Sequence, residues 1–185
     1  MIYLIRHGLD DERFIGGWSE VDLTNIGKEQ VFDATKFIVE KRLVINKIIS
    51  SDIKRAKSTS EIINEKLNLD ITYTSELKEL DKGIYTGLLK KNIKKDELET
   101  INNFNIYDSY PKGEAMIDLY KRMRCFLEKI RLYDNVLLVT HRGVINMFYY
   151  ILLDEKLDMN KEKFNVSHAS IHEMDIEKKL IRRIY

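Results

Sequence analysis

Arg6, His7 and Gly8 stand together at the end of an apolar run, Ile2 to Ile5. Such a run is expected to form a short buried strand. A guanidinium presents a forked set of donors that matches phosphate oxygens. An imidazole attacks as a nucleophile or moves a proton near neutral pH. A glycine allows a tight turn and a close backbone approach to a ligand. Open α/β sheets bind ligands at the carboxyl ends of their strands. A strand running into a polar turn would read the same way, so the other segments must decide.

Two further junctions repeat the pattern. Val44 to Ile49 is β-branched and apolar and is expected to be a second buried strand. It leads into Ser50-Ser51-Asp52-Ile53-Lys54-Arg55-Ala56, with Ser51 or Asp52 as the expected cap of a helix whose apolar positions are Ala56, Thr59, Ile62, Ile63 and Leu67. Arg55 then lies in the first turns, the unfavourable end of the helix dipole for a cation. An anion bound there would remove the conflict. Asn135 to Thr140 is apolar enough to be buried on both faces, and it ends in Thr140-His141-Arg142-Gly143 before a helix from Val144 to Leu153. Two arginines and two histidines converging on one sheet edge would suit a phosphoryl group.

The remaining elements supply the frame. Leu9 to Trp18 reads as a loop, and Thr24 as the N-cap of a helix with Ile26, Val31, Ala34, Phe37 and Ile38 on one face. Asp70 to Thr74 is a short strand, and Gly83 and Gly87 suggest irregular backbone. Leu88 to Tyr110, rich in Lys, Asn and Glu, reads as a helix within a partly irregular insertion over the carboxyl edge of the sheet. After a break at Pro111 to Glu114, Met116, Leu119, Tyr120, Met123, Phe126, Leu127 and Ile130 recur at helical spacing and are expected in the core. Ala169 to Asp175 and Leu180 to Tyr185 read as two strands joined at Glu177-Lys178-Lys179, with His172 at the surface or on an edge strand and His168 nearer the sheet's carboxyl edge. The expected fold class is α/β: one three-layer α/β/α domain over 1–185, with a mostly parallel sheet of about six strands and helices on both faces.

Bulk properties narrow the function classes. The chain has 185 residues, 44% hydrophobic and 33% charged, enough for one globular core. Lys+Arg 31 against Asp+Glu 30 gives a net charge of +1, which argues against a nucleic-acid or membrane-surface partner whose affinity rests on basic excess. Cys125 is the only cysteine, so no intrachain disulfide forms, and within a helical pattern it is expected to be a small core residue. One cysteine and four histidines give no structural zinc pattern. The first strand carries chemistry and is not read as a signal peptide, and no apolar run approaches membrane-spanning length. A cytoplasmic protein is the expectation, and a homodimer is left open.

These residues in order resemble the histidine phosphatase superfamily, the phosphoglycerate-mutase-like fold. The segments that carry the resemblance are Arg6-His7-Gly8, Gly17 to Thr24 with Gly27, Ser50 to Ala56 with Thr59, Leu77-Lys78-Glu79 with Gly83 and Gly87, Pro111 to Glu114, and Val139 to Gly143. The resemblance implies that His7 takes the phosphoryl group as a phosphohistidine. Arg6, Arg55 and His141 would bind its oxygens, with His141 most useful as a cation. Glu79 would protonate the leaving alcohol, for which it must carry the proton in the first step, and then activate water; Glu76 is the nearby rival for this role. Gly8, Gly17 and Lys90 would lie along the substrate, and no metal or other cofactor is implied.

Leu9-Asp10 stands where the family usually has Glu or Gln followed by Thr, and the loop to Gly17 lacks the usual Asn. Arg13 either replaces that donor or is exposed. Arg142, in place of a small residue, either reaches a second anionic group or points away. The resemblance implies a phosphomonoester hydrolase acting on a small phosphorylated metabolite, similar to α-ribazole phosphatases. Phosphoglycerate mutases of the family carry adjacent arginines in an insertion, whereas Asn102 to Pro111 has none. Mutase-type transfer is the alternative, and a non-catalytic phosphate-binding protein the second. Tyr85, Phe104, Tyr107 and Tyr110 are candidates for an apolar wall.

Overall fold

The computed structural model describes residues 1–185. Six strands form one sheet: β1 (Ile2–Arg6), β2 (Lys47–Ser51), β3 (Ile71–Thr74), β4 (Val136–Thr140), β5 (Ile171–Asp175) and β6 (Leu180–Arg183). Their spatial order is β3-β2-β4-β1-β5-β6. The first four run parallel, and β5 returns antiparallel beside β1. The helices are α1 (Asn25–Glu40), α2 (Lys54–Leu67), α3 (Lys95–Asn102), α4 (Met116–Ile130) and α5 (Arg142–Leu152).

Alternation along the strands divides the core into two layers. Tyr3 and Ile5 of β1, with Leu137 and Val139 of β4, pack with Val31, Ala34, Ile38, Ala56 and Ile63 of α1 and α2. Ile2, Leu4, Val136 and Leu138 face the other way, onto Leu119, Met123, Phe148 and their neighbours of α4 and α5. β1 and β4 are buried throughout, as a strand covered on both faces must be. Each of their fully buried aliphatic side chains contributes roughly 1.5–3 kcal/mol of transfer free energy. The expectation of a three-layer, mostly parallel sheet therefore holds.

Local differences have simple causes. β2 begins at Lys47, because Val44 is exposed before the chain enters the sheet. Thr24 does cap α1, accepting from the Gly27 amide, but Ile26 points into solvent at 58% exposure. The α2 N-cap is Ile53, without a side-chain cap; the Ser51 hydroxyl accepts from the Ile53 amide. Cys125 lies on the outer face of α4 and is exposed, not core. His172 is also misread by the pattern: β6 covers β5, so β5 is not an edge, and His172 is fully buried between the Tyr149 hydroxyl (2.8 Å) and the Ser170 hydroxyl (2.9 Å).

Candidate active site

The carboxyl ends of β1, β2 and β4 meet at one point. The His7 amide continues the β1–β4 ladder by donating to the Thr140 carbonyl. His7 Nδ1 lies 2.7 Å from the Gly8 carbonyl oxygen, which can only accept. Arg55 Nε lies 3.1 Å from His7 Nε2, and a guanidinium can only donate. Both constraints give one tautomer: the proton is on Nδ1, and the lone pair is on Nε2. Burial, with Arg55, His141 and Arg6 nearby, pushes the His7 pKa well below its usual value, so the ring is neutral.

Arg55 is 2% exposed. Its Nη2 donates to the Gly17 carbonyl at 2.8 Å, its Nη1 to the Ser19 hydroxyl at 3.2 Å, and Asp10 Oδ2 lies 3.4 Å from Nε. These acceptors meet the charge that opposes the α2 dipole. The conflict that suggested an anion at the helix terminus is thus relieved within the protein. Gly17 reaches this position with φ +63°, a conformation that favours glycine.

His141 is fully buried with its ring centroid 5.1 Å from that of His7. Its Nε2 lies 2.9 Å from Ser51 Oγ, and its Nδ1 has no partner. Burial and the Arg55 and Arg6 charges push its pKa well below the usual range. The expectation of a cationic His141 is therefore corrected: the site holds it neutral. An arriving phosphate dianion would reverse the electrostatic part of that shift.

Arg6 donates through Nη1 to the Val166 carbonyl at 2.9 Å, and its Nη2 lies 2.5 Å from His168 Nε2. Burial and Arg142 pull the Arg6 pKa down to about 10, which leaves it charged at neutral pH. His168 accepts from Arg6, and burial first, then Arg6, holds its pKa at about 3. Its ring centroid is 5.7 Å from that of His7. His168 thus joins the site, whereas His172 belongs to the core.

Glu79 faces this group across the cavity. Its Oε1 accepts from the Leu80 amide at 3.0 Å and its Oε2 from the Gly143 amide at 3.1 Å. A strap fixes the backbone behind it. Arg122 donates to the carbonyls of Glu76 and Lys78, both at 2.7 Å, and to that of Glu79 at 3.3 Å, while Glu114 holds the guanidinium at 2.9 Å. The Trp18 indole donates to the Glu79 carbonyl at 2.7 Å. The rival Glu76 instead pairs with Lys129 and does not line the cavity. Neither Arg122 nor Trp18 is singled out by the sequence pattern. Glu114 four residues past the Tyr110 turn, with an arginine two turns on, was the available signal.

The cavity measures about 180 Å³ and is lined by Arg6, His7, Gly17, Arg55, Glu79, Lys90 and Arg142, among others. Two expected substrate contacts do not reach it. Arg13 is 79% exposed on its side chain and pairs with Asp11 at 2.5 Å. Its neighbours Glu12 and Phe14 line the cavity, while Arg13 turns outward onto Asp11. Gly8 makes its close approach to Gly27, where a Cβ would collide with the backbone of α1, not to a ligand. Arg142 lines the cavity with its guanidinium on Glu162. Of residues 88–110 only Lys90 lines it, and the four aromatics do not: Tyr85, Phe104 and Tyr110 pack on one another, and Tyr107 is 70% exposed. The apolar wall comes instead from Phe14, Ile15, Met116, Met147 and Met159.

His7, Asp10 and His168 bring possible metal-ligand atoms within 4.8 Å of one another. The two imidazole nitrogens concerned already accept guanidinium N–H bonds, and two arginines stand beside them. A cation there would face like charges at close range, so the donor set fits an oxyanion. No helix is long and apolar enough to cross a membrane.

A buried neutral imidazole ringed by guanidinium donors at the carboxyl edge of a three-layer sheet defines a phosphoryl-binding class of α/β protein. The chain belongs to the histidine phosphatase superfamily (branch 1), whose family model matches residues 2–182. Members of that superfamily are phosphatases or mutases. Among its relatives is the Probable phosphoglycerate mutase GpmB of Escherichia coli O1:K1 / APEC, 36% identical over 137 residues. That match takes in 70% of this chain but 62% of the relative, so this chain spans less than two thirds of the relative's length. The fold is shared with a mycobacterial glucosyl-3-phosphoglycerate phosphatase, at TM-score 0.77 and 23% identity over 98% of this chain and 94% of that one. It is also shared with a candidate alpha-ribazole-5'-P phosphatase of Escherichia coli K-12, at TM-score 0.83 and 19% identity over 98% and 93%.

Proposed function

We propose that the chain hydrolyses small phosphate monoesters through a phosphohistidine. The observation that carries this reading is the fixed tautomer of His7, with its lone pair on Nε2 inside the cationic cavity. In the proposed reaction a phosphoryl oxygen takes over the Arg55 Nε–H, which frees that lone pair. Nε2 attacks phosphorus, the P–O ester bond breaks, and the leaving oxygen takes the Glu79 carboxyl proton. Arg6, Arg55 and His141 hold the phosphoryl oxygens as preorganised donors. The Gly8 carbonyl keeps the Nδ1 proton and supports the positive ring. Water then gives a proton to the Glu79 carboxylate and attacks phosphorus, the P–N bond breaks onto Nε2, and inorganic phosphate leaves.

Mutase-type transfer to a second hydroxyl is the alternative, favoured by the printed name of the 36% identical relative. Hydrolysis is preferred because residues 102–111 contribute nothing to the cavity wall that would hold a sugar-acid product for return transfer. A rapid alkaline quench after mixing with a ³²P-labelled phosphomonoester tests the reading, since phosphohistidine survives base. Label on His7 with release of inorganic phosphate is expected. Label returned to a second substrate hydroxyl without phosphate release would identify the mutase. No label and no turnover across a broad panel of esters would leave a phosphate-binding protein.

A further inference from the structure

Asp10 lines the cavity with a charge of the wrong sign for a phosphoryl site, and its side chain is 14% exposed. Its Oδ2 lies 3.4 Å from Arg55 Nε, the nitrogen that also stands 3.1 Å from His7 Nε2. Its Oδ1 lies 3.9 Å from His168 Nε2, and an oxygen of this carboxylate is within 4.8 Å of a ring nitrogen of His7. The neighbouring donors are committed elsewhere. Arg55 Nε donates to His7, Arg6 Nη1 to the Val166 carbonyl, and Arg6 Nη2 to His168. Asp10 is thus balanced by the guanidinium charges without a side-chain hydrogen bond from them. The main chain fixes it at the wall: Asp10 pairs with Leu23 in an antiparallel bridge, and the Leu9 carbonyl accepts from the amide and the hydroxyl of Thr24.

The groups that face Asp10 come from four segments: Arg6 and His7 at the end of β1, Arg55 on α2, His168 before β5, and Glu12 on its own loop. His7 and His168 are neutral, so Arg6 and Arg55 are the two cations among them. An ionised Asp10 offsets one of these charges, and Glu12 adds a further negative charge. A phosphoryl dianion needs both guanidiniums, and beside His7 it would meet the Asp10 carboxylate at close range in a poorly hydrated space. A proton on Asp10 removes that conflict. It also creates an O–H donor, in a loop that lacks the usual Asn and turns Arg13 outward. Burial already raises the Asp10 pKa, and Glu12 adds to the rise, against the pull of Arg55 and Arg6.

We infer that Asp10 is a phosphoryl-contact residue: it takes a proton from solvent as the phosphoryl group enters, donates the new carboxyl O–H to a phosphoryl oxygen, and returns the proton to solvent when inorganic phosphate leaves. Asp10 stands beside the attacking His7, with Glu79 across the cavity. It therefore addresses an oxygen that stays on phosphorus, and the leaving alcohol belongs to Glu79. The inference deepens the proposed hydrolase reading and rests on that reading's placement of phosphorus at His7.

Sulfate tests the inference, because it stays a dianion from about pH 5.5 to 8 and its own titration does not enter. Its Kd is measured by calorimetry across that range, at constant ionic strength, for the wild type, Asp10→Asn and Asp10→Thr, each shown to be folded by circular dichroism. A bound proton makes Kd climb as pH rises, up to tenfold per pH unit for each proton taken up. The wild-type Kd should climb at least threefold per pH unit more steeply than that of either variant, whatever His141 adds to all three. At pH 8 Asp10→Asn should bind sulfate at least tenfold tighter than the wild type. Parallel slopes, or weaker binding by both variants at pH 8, would overturn the inference, since a carboxylate that props Arg55 or swings aside links no proton. Release of phosphate from p-nitrophenyl phosphate separates the two readings. A steeper wild-type slope without turnover would sink hydrolysis and keep the role of Asp10, and parallel slopes in a protein that releases phosphate would sink that role alone. A wild type that binds no sulfate would overturn both.

Discussion

The amide of Gly143 donates to Glu79 Oε2 at 3.1 Å, and a Cβ on residue 143 would run into Oε1 of the same carboxylate. The glycine after His141-Arg142 is therefore demanded by the carboxylate it touches, not by a turn. Gly143→Ala should push Glu79 off its position. We expect kcat to fall by roughly 10²–10³, the loss seen when a positioned proton donor is displaced. KM for a simple monoester should change little, because the arginines are untouched. Steady-state kinetics on the Ala variant, with circular dichroism to confirm folding, checks this.

If Glu79 protonates the leaving oxygen, its loss should depend on how badly that oxygen needs a proton. Glu79→Ala should cost about 10³ in kcat with an alkyl phosphate. The penalty with p-nitrophenyl phosphate, whose leaving group departs as a stable anion, should be at most about tenfold. Equal losses with both esters would remove Glu79 from the acid role.

Arg122 never touches the cavity, yet it gathers the carbonyls of Glu76, Lys78 and Glu79 against Glu114. Arg122→Met would leave those carbonyls and a half-buried carboxylate without their cation. A loss of about 3 kcal/mol is expected, or a fall in Tm of roughly 6–12 °C for a chain of this size. Measured well below Tm, kcat should still fall at least tenfold while KM holds. A stability loss with unaltered kcat would show the strap to be purely structural.

Burial holds all four histidines below their usual pKa, His168 at about 3 and His172 at about 4. An unfolded imidazole takes a proton near pH 6.5, where the folded ones do not. The unfolded state therefore binds more protons, and stability present above pH 6.5 is lost as pH falls toward 4. His172, fully buried and bonded to Tyr149 and Ser170, accounts for on the order of 3 kcal/mol of that loss. Urea melts at pH 7.5 and pH 5 should show a markedly lower midpoint in acid. Inorganic phosphate should restore part of it by favouring the charged form of His141. Equal midpoints would contradict the buried neutral histidines.

Arg13→Ala should leave kcat/KM within about twofold and the urea midpoint unchanged, because its exposed pair with Asp11 is worth little. A larger loss of activity would return Arg13 to the substrate path.

The strands and helices were legible in the sequence because β1, β4 and α4 obey their periods without interruption. Arg6, His7, Arg55 and His141 were legible because each follows a strand that the sheet must bring to one edge. What escaped the pattern depends on contacts between distant segments. His172 reads as an edge residue until β6 is seen to cover β5. Cys125 differs from its core neighbours by one position of helical rotation. Arg13 looks like a pocket donor until Asp11, two residues away, captures it. The neutral state of His141 follows from enclosure by Arg6 and Arg55, a property of the assembled cavity and of no local motif.

β1 lies between β4 and β5, so Ile2 pairs with both Val136 and Met174. During synthesis at 5–20 residues per second, the first strand waits on the order of ten seconds or more for its flanking partners. Until residue 140 has left the ribosome a sticky apolar ribbon is exposed with both sides unpaired; its β5 side stays open until residue 175 follows, and until Val166 emerges Arg6 lacks the carbonyl that steadies it. Nascent chains interrupted before that point would be clients for chaperones and proteases, with no partially active fragment among them.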